Sequence, residues 1–200
     1  MPWRSPAPIS AAIFDFDGTL VDTLPLHYEA YRRVFAGMGV ELTPDQFYPN
    51  LGGKAPETIP RFLAGRPCPL SVSEIHRRKL DLFARLLSES SVRELDTARV
   101  LEALAERMPV ALASSGSRPG IERILATVRW GRAFQVIVTG EDVARGKPAP
   151  DIFLHAASRL AIPPSACLVF EDSDDGVAAG TAAGMIVVDV RRMSAAAMPA

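Results

Sequence analysis

Five short apolar runs recur along the chain: Ala11 to Phe14, Val110 to Ala113, Val136 to Val138, Leu168 to Phe170 and Ile186 to Val190. They are rich in Val and Ile and barely alternate with polar residues, as do parallel strands buried on both faces. The segments between them carry helical spacing. Ile121, Ile124, Leu125 and Val128 share one face, as do Ile152, Ala156, Ala157 and Leu160. Pro-Ala-Pro-Asp at 148–151 predicts the start of the second of these helices. Strand and helix in alternation predict an α/β fold, a doubly wound parallel sheet whose site lies beyond the carboxyl ends of its strands.

Between about Leu24 and Leu95 the strand pattern stops. Tyr28, Tyr31, Val34 and Phe35 line one helix face that ends at Gly37/Gly39. A Ser73-Glu74 start leads a second helix with Ile75, Leu82, Phe83 and Leu86 at helical spacing. An all-helical insert this size, entering just after the first strand, predicts a cap over the strand ends. The expected organisation is a discontinuous core over 11–23 and 96–192, a helical cap over 24–95, and flexible termini at 1–10 and 193–200.

Composition narrows the picture a little. Two hundred residues with 48% hydrophobic and 22% charged content suit one globular domain with a small appended subdomain. A net charge of −1 gives no general pull on nucleic acid or an acidic membrane, so any anion must be met by a few placed cations. Cys68 and Cys167 have neither metal-site nor disulfide-framework spacing and read as reduced thiols, the second buried at a strand start. The opening "MPWRSPAPIS" holds three prolines and no apolar stretch, so it reads as a flexible arm and not a secretory leader. No apolar run approaches the ~20 residues that cross a bilayer. The chain is expected to be a cytoplasmic monomer without nucleic-acid or membrane partners.

The candidate chemistry sits where predicted strands end. Asp15-Phe16-Asp17-Gly18-Thr19 follows the first, Ser114-Ser115-Gly116 the second, and Glu171-Asp172-Ser173 the fourth; Lys147 lies in the loop "RGKPAPD". Carboxylates this close repel one another, and low dielectric makes them costly to bury. Acidic groups converging from two strands make a hard oxygen site that suits Mg²⁺. The cation would relieve the repulsion and ligate a phosphate oxygen, while the lysine and backbone N–H groups take the others. Phosphoryl transfer needs positioning and charge stabilisation of this kind. One aspartate could attack phosphorus, and the other could protonate the leaving oxygen and later activate water. Gly18 allows the tight turn that aims both carboxylates at one point. Each cluster also has a structural reading: Ser114 as a helix cap, Lys147 as a surface lysine, Glu171-Asp172-Ser173 as an acidic turn before a helix near Gly176. Those readings must all hold at once, each at a strand end and in this order.

These residues together resemble the haloacid dehalogenase superfamily over nearly the whole chain. "DFDGTLVDT" is similar to its first motif, Ser114 after "VALA" to its second, "GKPAPDIF" to its third and "VFEDSDDGVAAGTAAGM" to its fourth. The resemblance implies a Rossmann-like core with a helical C1 cap. It implies Asp15 as nucleophile and Mg²⁺ ligand, and Asp17 as general acid/base with its carbonyl a second ligand. Asp172 would be a further ligand and Glu171 a ligand or its support, with Ser114 and Lys147 on the phosphoryl group. Within the superfamily the chain is similar to the β-phosphoglucomutase-like group, especially its fructose-1-phosphatase-like members. That similarity places His27 near the hinge, Lys79 facing substrate, and Gly52, Gly53 and Lys54 in a specificity loop. Two departures stand out. Ala55 aligns where the mutases carry an arginine, with Lys54 no more than a candidate substitute, and Leu95-Asp96 replaces the usual Pro-Gly before the returning core helix. The implied activity is Mg²⁺-dependent hydrolysis of a small sugar-phosphate-like ester through an aspartyl-phosphate. The alternatives are a phosphomutase with the same intermediate and a non-catalytic metabolite-binding relative.

Overall fold

The computed structural model describes residues 8–193. Its first strand, β1 (Ala11–Phe14), leads into four helices: α1 (Leu24–Ala36), the single turn α2 (Pro44–Phe47), α3 (Ala55–Leu63) and α4 (Val72–Glu89). The chain then alternates α5 (Thr97–Ala105), β2 (Val110–Ser114), α6 (Arg118–Leu125), β3 (Val136–Thr139), α7 (Asp151–Leu160), β4 (Cys167–Glu171), α8 (Asp174–Ala182) and β5 (Ile186–Asp189). The strands form one parallel sheet in the order β3-β2-β1-β4-β5, with β1 at its centre.

Burial on both faces explains the unbroken apolar runs. Ala12 and Phe14 of β1 face one layer with Leu112, Leu101, Ile121 and Trp130. Ala11 and Ile13 face the other, against Ile152, Phe153 and Ala156 of α7 and Ala179 of α8. Phe14 and Phe170 are register partners and stack at 4.6 Å, which ties β1 to β4 next to the strand ends. The edge strand departs from expectation. Ile186 is 47% exposed and β5 is only half-buried, whereas β3 at the opposite edge is almost wholly buried.

The helical segment has its own core of Tyr31, Phe35, Phe47, Ile59, Phe62 and Ile75. Phe83, Leu86 and Leu87 at the far end of α4 join the layer beneath the sheet. Between Leu24 and Leu95 no strand forms.

Several expected boundaries shift. The helix read from Ser73-Glu74 begins at Val72, and its cap is Ser71, whose hydroxyl accepts the Glu74 N–H at 3.2 Å. Val128 lies beyond α6, half-buried in a following turn, and Val190 lies in a 3₁₀ turn past β5. The last core helix starts at Asp174 instead of near Gly176. Asp96 precedes α5 without a side-chain capping bond. Cys68 and Cys167 are both free, and Cys167 is buried at the start of β4. The termini expected to be flexible fall mostly outside the described residues; within them, the Ser10 N–H donates to the Ala166 carbonyl at 2.8 Å. Among the described residues, no helix is long and apolar enough to cross a membrane.

Candidate active site

Three strands end at one place. The pairings Phe14 with Leu112 and Phe14 with Phe170 bring Asp15, Ser114 and Glu171 to a common edge. The Asp15 N–H is anchored on the Phe170 carbonyl at 3.0 Å. Lys147 enters from the loop before α7. It is 1% exposed, and its ammonium donates to Asp15 Oδ1, to Glu171 Oε2 at 3.0 Å and to the Ala113 carbonyl at 3.3 Å. Glu171 Oε1 accepts the Ser173 N–H and hydroxyl at 3.0 and 2.7 Å, and the Ser173 hydroxyl in turn caps α8. Gly176 sits so close beneath that a Cβ there would lie 2.0 Å from the Glu171 carboxyl carbon.

Carboxylate oxygens of Asp15, Glu171 and Asp172 lie within 4.8 Å of one another. One ammonium stands against these three carboxylates, which leaves two negative charges unmatched. Burial, then the charge of Glu171, pushes Asp15 well above the usual carboxylate range, against the pull of Lys147. Burial and Glu171 likewise push Asp172 up to about 7, although Thr19 donates to it at 3.0 Å. Lys147 is raised: burial works against its charge, but Asp15 and Glu171 outweigh it. An all-oxygen donor set short of two positive charges fits a hard divalent cation such as Mg²⁺.

Asp17 points away from this group. The turn that separates it depends on Gly18, whose φ is +85° and whose Cβ would strike Asp172 Oδ2 at 2.2 Å. Asp17 Oδ1 accepts the Thr23 hydroxyl and meets His27 Nε2 at 3.1 Å. His27 Nδ1 lies 2.7 Å from Lys79 Nζ, and its ring stacks on Phe83 at 4.1 Å. Burial pushes Asp17 up, yet His27, Thr23 and Lys79 together lower it to about 2. Burial and Lys79 hold His27 below its ordinary value against Asp17.

A single cavity brings Asp15, Asp17, His27, Lys79, Ser114, Ser115, Gly116, Lys147, Glu171 and Asp172 together. Gly53 also lines it, and the Gly52 carbonyl accepts the Ser115 hydroxyl at 2.9 Å. Ser114 Oγ accepts the Gly116 N–H at 3.0 Å instead of capping a helix. Two predicted residues stand apart. Gly18 shapes the turn beneath the cavity, and the Lys54 ammonium is spent on the Val143 carbonyl at 3.0 Å, outside the lining. Sequence reasoning gave no roles to Thr19 and Thr23, though both lie inside "DFDGTLVDT" with their hydroxyls on the key aspartates. It also missed His76, which lines the cavity from α4 and which no spacing marks.

A family model for haloacid dehalogenase-like hydrolases matches residues 9–184. The chain belongs to that family. Among its relatives, this haloacid dehalogenase-like hydrolase is 32% identical to the fructose-1-phosphate phosphatase YqaB of Escherichia coli, over 90% of its own length and 95% of the relative's. It is 33% identical to a β-phosphoglucomutase of Mycobacterium bovis, over 98% and 86% of the two chains. The crystal structure of CbbY from Rhodobacter sphaeroides in complex with phosphate superposes with a TM-score of 0.79 at 33% identity, covering 90% of this hydrolase and 84% of CbbY. The Rossmann-like fold expected from the sequence is that of the family.

Proposed function

We propose that this hydrolase is a phosphatase for a small sugar-phosphate-like ester, working with Mg²⁺ through an aspartyl-phosphate, with residues 24–95 acting as its cap. The observation that carries the reading is a pair of aspartates two residues apart that are held in separate places. Asp15 is buried on Lys147 within the acidic group, while Asp17 is held separately by Thr23 and His27. That separation leaves one carboxylate for the cation and phosphorus and keeps the other apart to carry a proton.

Asp15 would hold the cation with Asp172 and Glu171 and with the carbonyl of Asp17. When bound, the cation supplies positive charge that keeps the carboxylates ionised and offsets that of the phosphoryl oxygens. Ser114, Lys147 and the N–H groups around Ser115 and Gly116 would hold the phosphoryl group. An Asp15 oxygen then attacks phosphorus, the ester P–O bond breaks, and the departing oxygen takes a proton from Asp17. Asp17 next removes a proton from water, whose oxygen attacks phosphorus; the bond to Asp15 breaks and phosphate leaves. Thr23 and His27 hold Asp17 ionised at rest; an arriving phosphate dianion raises its proton affinity, and Asp17 takes up a proton from solvent before it gives one to the departing oxygen.

Hydrolysis is favoured over the mutase reading by what lines the cavity. No arginine does, Lys54 is spent on a carbonyl, and Lys79 is held against His27 Nδ1, so a second phosphate finds no guanidinium there and at most one ammonium, already engaged. Phosphate release from a panel of sugar phosphates with Mg²⁺ tests the proposal. Asp15→Asn and a chelator should each lower release by about three orders of magnitude, with the circular dichroism of the variant unchanged. Full activity in Asp15→Asn would sink the nucleophile assignment. Conversion of β-glucose 1-phosphate without net release, once a bisphosphate is added, would move the protein to the mutases.

A further inference from the structure

The cavity-facing side of α4 carries His76, Lys79, Leu80 and Phe83, one stripe at helical spacing. Lys79 and Phe83 are occupied by His27, one by hydrogen bond and the other by stacking. His76 is not. Its Nδ1 is the one buried side-chain nitrogen or oxygen among the described residues that has no hydrogen-bond partner. A native fold seldom leaves such an atom unmatched, and the deficit points to a partner that arrives from outside.

Position and charge narrow that partner. His76 lies three residues before Lys79, about 4.5 Å along the axis, and lines the same cavity as Asp17. A substrate whose ester oxygen faces Asp17 and whose carbon chain fills the rest of this cavity would meet the α4 stripe. Burial, then the charge of Lys79, keeps the imidazole below its ordinary value, with Glu141 opposing them. A neutral ring suits a neutral hydroxyl better than a second phosphate. Rotation about Cβ–Cγ, a broad torsion, lets the covered nitrogen turn toward a ligand.

We propose that His76 determines specificity for the organic half of the substrate, its Nδ1 hydrogen-bonding a hydroxyl a few carbons from the phosphate ester. The inference rests on the phosphatase reading above and narrows it to polyol or sugar monophosphates.

The test compares kcat/KM on a hexose phosphate with that on 4-nitrophenyl phosphate, which has no hydroxyl to offer. In His76→Leu the ratio of the two should fall about tenfold, mainly through KM on the sugar ester. His76→Asn keeps a polar atom near the position of Nδ1 and should restore most of the ratio. An unchanged ratio in His76→Leu, or equal loss on both esters, would overturn the inference and leave His76 a packing residue. Wild-type turnover of the aryl ester but of no sugar ester would overturn it as well. Wild-type silence on every ester would instead remove the phosphatase reading on which it rests.

Discussion

Lys79 is only 6% exposed, yet no carboxylate touches it. Its ammonium rests against His27 Nδ1 and over the rings of Tyr31 and Phe83, at 5.1 and 4.9 Å. Burial lowers its pKa from 10.5 to about 8, with Asp17 pulling the other way. Between about pH 8 and 10.5 the unfolded chain therefore holds a proton that the folded chain has lost, so stability rises with pH across that window. Below it, the folded protein carries the full burden of a buried charge. Lys79→Met should accordingly raise stability at pH 7 by ~1 kcal/mol, or ~3 °C in Tm, while turnover falls because His27 loses a partner. The gain should shrink as the pH of the melt is raised from 8 to 10.5. A variant that melts lower than wild type at pH 7 would refute this account. Residues of this kind are hard to read in a sequence. Asp15, Asp17 and Asp172 announce themselves at strand ends, whereas Lys79 stands beside Arg77 and Arg78, and only its place on the helix separates it from two solvated cations.

At the level of elements, α8 is fitted to β4 by an absence. Gly176 leaves room for the Glu171 carboxylate, which would otherwise meet a Cβ at 2.0–2.3 Å. Glu171 is one of the two carboxylates that hold Lys147. Gly176→Ala should push it off that ammonium, lower stability by ~1–3 kcal/mol in denaturant melts and reduce phosphate release at least tenfold. Activity within twofold of wild type would show that Glu171 can be displaced harmlessly. Strand and helix identities were legible because the buried faces impose periodicity. Their ends were less so. Nothing local distinguishes Ser71 from Ser73 as the cap of α4, and β5 carries the valines of an interior strand although it lies at the edge.

For the whole molecule, the helical segment meets the rest across a line of polar contacts far apart in sequence. Arg61 of α3 pairs with Asp175 of α8 at 2.7 Å, Lys54 bonds to the Val143 carbonyl and Ser115 to that of Gly52. An exposed ion pair is worth under ~1 kcal/mol, so Arg61→Ala should barely move Tm. As a clasp on the helical segment it should matter locally, and amide exchange over residues 51–54 should quicken severalfold in the variant. Unchanged exchange there would mean that the other contacts hold the segment alone. The insert itself could be read from the missing strand pattern, but which of its side chains reach across could not. Lys54, expected at the substrate, spends its charge on this seam instead.

The order in which the site's parts occur along the chain has a consequence during translation. Asp15 belongs to the first strand, Lys147 follows 132 residues later, and Glu171 and Asp172 close the fourth strand. A ribosome must extend the chain past Asp172 before the acidic group has all its members. Until then Asp15 lacks Glu171 and Asp172, and before residue 147 its lysine as well, so on the proposed reading a half-made chain would be inert toward phosphate esters. The enzyme is switched on only by its own completion.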